Sequence, residues 1–162
     1  MLQKTHSLAG LLAAESVVLY FNEPLISWES AALLMIGCLA GPLADIDKPG
    51  STIARIFFPV SALLRFLKIR HRTLTHSLIC ILGLYFLLLP LPQTYLWASL
   101  LAYASHTLLD LFNEQGVALL WPLRMKFRLI PKFLAVKTGS VTERLIQIFL
   151  LVSIVLLPII IR

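Results

Sequence analysis

The chain carries four histidines, and every one of them falls where an apolar segment begins or ends. His6 opens the first apolar run, Asp45 and Asp47 follow the second, His71 and His76 introduce the third, and His106 with Asp110 lies near the end of the fourth. If consecutive runs are helices that alternate in direction, these seven side chains arrive at one level from four segments. Their local spacing suits coordination. His106 and Asp110 stand at i and i+4, so both project from one helical face. Asp45-Ile46-Asp47, bracketed by Pro42, Pro49 and Gly50, can turn two carboxylates inward from a non-helical end. The stretch His71-Arg72-Thr73-Leu74-Thr75-His76 delivers two imidazoles on either side of a helix start, with Thr75 and Ser77 able to cap or orient them. A His/Asp set of this kind suits zinc, or manganese and iron where oxygen ligands dominate.

Each residue alone has a plainer reading. His6 can snorkel or cap, Asp45 and Asp47 can cap a turn or pair with Lys48, and His106 can hydrogen-bond Asp110 between helices. It is their convergence that favours a metal site, because ionisable groups at membrane depth are expensive to hold there. Glu15 lies nine residues after His6, nearly opposite on a regular helix, and is expected to pair within the bundle rather than join the site. Asn113 and Glu114 follow Asp110 as outer supports or as an ordinary helix end. Trp121 reads as an interfacial anchor. The alternating Arg124, Lys126 and Arg128 read as an anchor and as a cradle for anionic headgroups.

The elements that must position these groups are dictated by composition. Of 162 residues, 59% are hydrophobic and 14% charged, and the mean hydropathy is +0.88. A soluble domain of this length leaves too much of its chain facing water to hide such a surface, so lipid is the natural solvent. The sequence therefore predicts an all-α integral membrane protein: a single domain, residues 1–162, with about five transmembrane helices near 6–21, 30–44, 74–89, 95–112 and 145–161. Several of these are shorter than the ~20 residues a span requires, which predicts tilt or polar extensions at their ends. Pro24, Pro42, Pro90 and Pro92 mark helix ends, and Ser140-Val141-Thr142-Glu143 fits a capping box opening the last helix. Residues 52–68 carry apolar side chains at helical spacing interrupted by Arg55, Arg65 and Lys68, which predicts a helix in the membrane interface bent at Pro59, the alternative from the same residues being a helix packed under the bundle. Cys38 and Cys80 fall in apolar segments and read as small buried hydrophobes. The first apolar run contains Glu15 and lacks a small-residue cleavage site after it, so no cleavable leader is expected.

Charge orients this arrangement. With the amino terminus inside, thirteen of the fourteen basic residues fall in inner segments, and only Arg162 lies outside, as the bias of Lys and Arg toward cytoplasmic loops requires. The formal net charge of +6, distributed between long apolar runs, points to anionic lipid headgroups rather than nucleic acid as the partner.

The motifs Thr5-His6-Ser7, Leu43-Ala44-Asp45-Ile46-Asp47-Lys48-Pro49, His71-Arg72-Thr73-Leu74-Thr75-His76-Ser77 and Ser105-His106-Thr107-Leu108-Leu109-Asp110 occur in that order, followed by Gly116-Val117-Ala118-Leu119-Leu120-Trp121-Pro122 and Glu143-Arg144. This pattern, covering nearly the whole chain, resembles the YdjM family of bacterial inner-membrane proteins, described as predicted metal-dependent hydrolases. That family is in turn distantly similar to zinc-dependent phospholipase C and the related single-strand nucleases through the order of ligands: an early His, an Asp, a His, then H-x-x-x-D. The chain has no second H-x-x-x-E and no amino-terminal Trp, so one or two metal ions are expected rather than three. The resemblance implies a multi-pass protein of the bacterial cytoplasmic membrane.

The expected chemistry is hydrolysis of a phosphoester in a lipid or lipid-linked substrate at the cytoplasmic face. His6, Asp45, Asp47, His71, His76, His106 and Asp110 are the candidate ligands of zinc, or of manganese. Whichever of Asp45 and Asp47 is not committed to metal could act as general base, and Arg72 could neutralise charge developing on phosphoryl oxygens. Arg72, Arg124, Arg128 and Arg144 are the candidate substrate-binding cations. Two alternatives stand beside this: a metal-dependent amidase or peptidase, although the usual H-E-x-x-H helix is absent, and a non-enzymatic scaffold with a structural metal. A transporter would need polar residues at the midplane rather than at one interface.

Overall fold

Residues 1–123 and 125–161 are described by a computed structural model. In chain order the helices are α1 (Gln3–Tyr20), α2 (Trp28–Ala40), α3 (Thr52–Ile56), α4 (Phe58–Phe66), α5 (Leu78–Leu88), α6 (Gln93–Leu111) and α7 (Val141–Ile161). Two 3-10 turns, Gly41–Asp47 after α2 and Leu74–His76 before α5, complete the regular structure. Among the described residues there is no β-strand. Isolated bridges pair Val117 with Phe127 and Asn113 with Val136 in the segment between α6 and α7.

The centre of the bundle is α1, packed against both α2 and α6, which also meet each other, with Ala14, Val17, Val18, Leu33 and Ala98 buried among the three. Small residues set the closeness of the first pair. A Cβ on Gly10 would stand 2.2 Å from the carbonyl oxygen of Gly37, and one on Gly41 would stand 2.2 Å from that of His6. The two backbones therefore touch, as small-residue helix interfaces in lipid permit, and the end of α2 is laid directly against the first turn of α1.

Two segments are long and apolar enough to cross a membrane. One is Trp28–Asp47, which joins α2 to its 3-10 extension, and the other is Val141–Ile161. The latter has a mean hydropathy of 2.6 with only 6% of its span buried, so nearly all its apolar surface faces outward. The expected bundle of five spans is thus met in part. α1 and α6 have 18 and 19 residues, but Gln3, Lys4 and His6 in one and Gln93, His106 and Asp110 in the other dilute their hydropathy. The third expected span is shorter than its apolar run. Ser77 accepts the amide of Cys80 and starts α5 only at Leu78. The first residues of the run are spent in the 3-10 turn that carries His76, and the eleven residues of α5 advance about 16 Å, against a hydrocarbon core of ~30 Å.

The helix expected over 52–68 is divided rather than bent. α3 ends at Ile56, Phe57 leaves helical geometry, and α4 restarts with Pro59 in its first turn, where proline's missing N–H leaves no bond unmade. Ile56, Phe57, Phe58, Leu63 and Phe66 are exposed. The capping box before α7 is half formed. Ser140 Oγ accepts the amide of Glu143, but the Glu143 carboxylate accepts from Gly139 N and turns its other oxygen toward α1.

Candidate metal centre

The close approach of α1 and the end of α2 brings His6 to Gly41, and α6 completes the contact from the far side. His6 and His106 lie face to face, with ring centroids 3.5 Å apart and planes 7° from parallel. His76 meets His106 edge-on at 4.8 Å. His6, His76, His106 and Asp110 are each fully buried, Asp45 is 4% exposed, and the His71 side chain retains 25% exposure.

Three groupings have ligand atoms close enough to share an ion: His6 with Asp45 and His106, Asp45 with His71 and His76, and His76 with His106 and Asp110. Asp45, His76 and His106 each belong to two of them, so the groupings form one continuous cluster. Six of the seven expected ligands are in it.

Asp47 has a different place. Its Oδ1 meets His71 Nδ1 at 2.7 Å, and its Oδ2 accepts from Thr75 Oγ1 at 2.6 Å and from the Arg72 amide at 3.2 Å. Both oxygens are engaged in orienting the residues that carry the site. The same device recurs at each partnered histidine. His106 Nδ1 meets the Gly41 carbonyl oxygen at 2.8 Å, and His76 Nδ1 meets Thr75 Oγ1 at 2.9 Å. A proton on Nδ1 in both rings satisfies those acceptors and turns the lone pair of Nε2 toward the cluster, which is how second-layer partners prepare metal-binding imidazoles. Burial, and then the nearness of His106, His71 and Arg72, holds His76 well below its ordinary pKa, so its ring is neutral.

Buried polar atoms are normally hydrogen-bonded. Here His6 Nδ1, His6 Nε2, His76 Nε2, His106 Nε2 and Asp110 Oδ2 have no hydrogen-bond partner. Three buried imidazoles, each able to turn one unpartnered nitrogen toward a shared ion, and a carboxylate oxygen without a hydrogen bond form a donor set suited to a divalent cation. The residues therefore fit a metal.

Asp110 also receives positive charge from the protein. The Met1 amine donates to its Oδ1 at 2.7 Å, and Arg72 Nε stands 2.9 Å from its Oδ2, too poorly aligned for a hydrogen bond but close enough for an ion pair. Arg72 has positive φ (64°) and is buried, with Nη1 donating to Asn113 Oδ1 and Gln115 Oε1. The expected outer support from Asn113 is therefore present, and its Nδ2 ties the site to the Val136 carbonyl. Of the remaining expected cations, Arg128 and Arg144 are exposed and share no bond with the cluster among the described residues. Arg124 lies outside the described residues. Glu15 is buried, but its Oε2 has no partner among the described residues, which corrects the expectation that it pairs within the bundle.

Glu143, which the sequence marks only through the capping box and its pairing with Arg144 in a motif, is fully buried, and its Oε1 accepts from Leu2 N and Thr5 Oγ1. It pins the first turn of α1, and so His6, to the start of α7. Asp45, alone among the six clustered residues, also lines a pocket of about 290 Å³ with Leu2, Gln3, Pro42 and Lys48.

The family described as YdjM inner membrane protein matches residues 1–162 of the chain. A Bacillus subtilis (strain 168) protein named "Uncharacterized protein YvsG" is 32% identical over 149 residues, covering 90% of this chain and 87% of its own. "Inner membrane protein YdjM" of Escherichia coli (strain K12) is 33% identical over 142 residues, covering 81% of this chain and 67% of its own, and the Shigella flexneri protein of the same name matches equally. No solved structure matches the chain.

Proposed function

The chain belongs to the YdjM inner membrane protein family, and from that premise we propose that it is a metal-dependent hydrolase acting on a phosphoester of a membrane lipid or lipid-linked substrate. The observation that carries this reading is the set of unpartnered imidazole nitrogens beside a pocket reached through Asp45. A closed structural site would offer no such opening, whereas catalytic sites keep one. In the proposed topology the amino terminus and the cluster are cytoplasmic, and α1, α2, α5, α6 and α7 form the bundle, the shorter ones tilted or locally thinning the bilayer.

His6, Asp45, His71, His76, His106 and Asp110 would hold one or two divalent ions, zinc being the best match to this nitrogen-rich set. When bound, the metal supplies Lewis acidity toward water and toward a phosphoryl oxygen. Thr75, Asp47 and the Gly41 carbonyl hold the imidazoles in one tautomer. Arg72, fixed by Asn113 and Gln115, keeps a guanidinium charge against Asp110. Asp45 lines the pocket, while both oxygens of Asp47 are engaged, so where the ion is held without Asp45, that carboxylate rather than Asp47 is the group able to receive a proton there. Lys48, with Nζ 3.7 Å from Asp45 Oδ2, adds a cation at the pocket wall.

The deep burial of His6, His76, His106 and Asp110 favours a second reading, a metal that only staples the bundle. Metal content of detergent-purified protein, measured by plasma mass spectrometry, combined with a screen of lipid phosphoesters, separates the two. Stoichiometric metal lost in His106→Ala, with turnover lost in parallel, is the expected result. Metal without turnover on any lipid phosphoester, with zinc or manganese supplied, would leave the staple. Absence of metal after reconstitution would defeat both.

A further inference from the structure

An apolar groove of about 890 Å³ runs between α1, α2 and α7, walled by Leu8 and Leu11, Cys38, and Leu151. Leu2 and Gln3 close its inner end, and the same two residues wall the pocket beside Asp45. A trough suited to hydrocarbon and a polar pocket thus meet at one point. Charge follows the same division. Lys48 lies in the pocket and Lys4 at the inner end of the groove, while the rest of the trough is almost free of charge.

The dimensions and exposure suit one leaflet of a bilayer. From Gln3 to Leu11, α1 advances about 12 Å, close to half of a hydrocarbon core of ~30 Å. The groove opens outward: Leu151 is 49% exposed and belongs to α7, whose apolar span is only 6% buried. Gln147 and Leu151 stand at i and i+4 on α7, one and two turns beyond Glu143, so this wall starts at the level of the cluster and descends from it.

We infer that this groove seats one acyl chain of a membrane phospholipid whose phosphate lies in the pocket between Asp45 and Lys48. The inference rests on the phosphoester reading of the site and specifies its substrate as a lipid that arrives laterally, tail along α1 and headgroup foremost. A water-soluble phosphoester would have no use for the trough. Lys4 and Lys48 supply the cations that an anionic headgroup needs at the point where tail gives way to phosphate.

The test is native mass spectrometry of the full chain in detergent, titrated with dipalmitoyl phosphatidic acid, with dipalmitoyl phosphatidylcholine and with glycerol phosphate. The wild type should retain phosphatidic acid in preference to the other two. Leu11→Trp and Leu151→Trp fill the trough from opposite walls, and each should weaken retention by ~10-fold or more, the equivalent of ~1.4 kcal/mol. Phe149→Trp, at a position 68% exposed on α7, should not change it. Equal retention by both groove variants overturns the inference, as does equal retention of glycerol phosphate. Retention that responds to both groove variants upholds the groove even where no phosphoester is turned over, an outcome that removes the hydrolase reading alone. Metal-dependent turnover of a soluble phosphoester with no lipid retained does the reverse.

Discussion

The histidines owe their chemistry to atoms they do not display in the sequence. A neutral imidazole offers metal the nitrogen that lacks the proton, and a partner on the other nitrogen fixes which one that is; here Asp47, Thr75 and the Gly41 carbonyl are those partners. Asp47 makes three contacts, one to the His71 ring and two to the Thr75 hydroxyl and the Arg72 amide. Asp47→Asn keeps the shape of the side chain but replaces a two-oxygen acceptor by one oxygen and one donor. It should weaken metal affinity by roughly 10–100-fold, the usual consequence of losing an orienting partner, without abolishing stoichiometric loading at saturating metal. Competition against a chelator of graded strength measures this. Loss of all metal would instead make Asp47 a ligand. The gathering of the histidines with Asp45 and Asp110 was legible because residue type and short spacing carry it. Their supports were less so, because Thr5 finds Glu143 138 residues away and Arg72 finds Asn113 41 residues away, distances over which no local pattern operates. Asp45 and Asp47 look equivalent in the chain, and only the folded turn gives one to the cluster and the other to the histidine that faces it.

At the scale of elements, what assembles the site is the contact between α1 and the segment Gly41–Asp47. Apolar periodicity and proline positions were enough to find each helix. They could not show that Gly10 and Gly41 lie backbone to backbone against their neighbours, since glycine in an apolar run is compatible with many packings. They also could not separate the turn carrying His76 from α5, because Leu74 and Leu78 are equally apolar and only the Ser77 cap divides them. Gly41→Ala puts a methyl 2.2 Å from the His6 carbonyl, a backbone atom that cannot rotate away. Overpacking of this kind typically costs about 1–3 kcal/mol, and here it also pushes His6 off His106. The expected outcome is a lowered thermal transition together with reduced metal content. Gly83→Ala is the control. Its Cβ would meet nothing within 4 Å, and in a helix alanine is favoured over glycine by ~1 kcal/mol, so stability should hold or rise. Equal loss in both variants would mean that the α1 contact has no special role in building the cluster.

For the whole molecule, orientation decides which leaflet the cluster can reach. The two segments that qualify as spans by length and hydropathy differ in what surrounds them. Trp28–Asp47 is 39% buried and delivers Asp45 at its end, whereas Val141–Ile161 is 6% buried and starts beside Glu143. Each therefore has its site end at the level of the histidines and its other end a membrane thickness away. In the topology proposed above that level is inside: Lys48, Arg70, Arg72, Lys126, Arg128, Lys132 and Lys137 would then fall on the cytoplasmic side, as the bias of Lys and Arg favours, while residues 22–29 hold no basic residue. In a variant whose Cys38 and Cys80 are replaced by serine, Ile26→Cys, fully exposed in that turn, should react with a membrane-impermeant maleimide in intact spheroplasts. Lys132→Cys, exposed in the basic segment before α7, should react only after permeabilisation. The reverse pattern would put the cluster at the outer face, where the phosphoester substrate would have to be sought in the outer leaflet and the basic segment could no longer be explained by the cytoplasmic preference for positive charge.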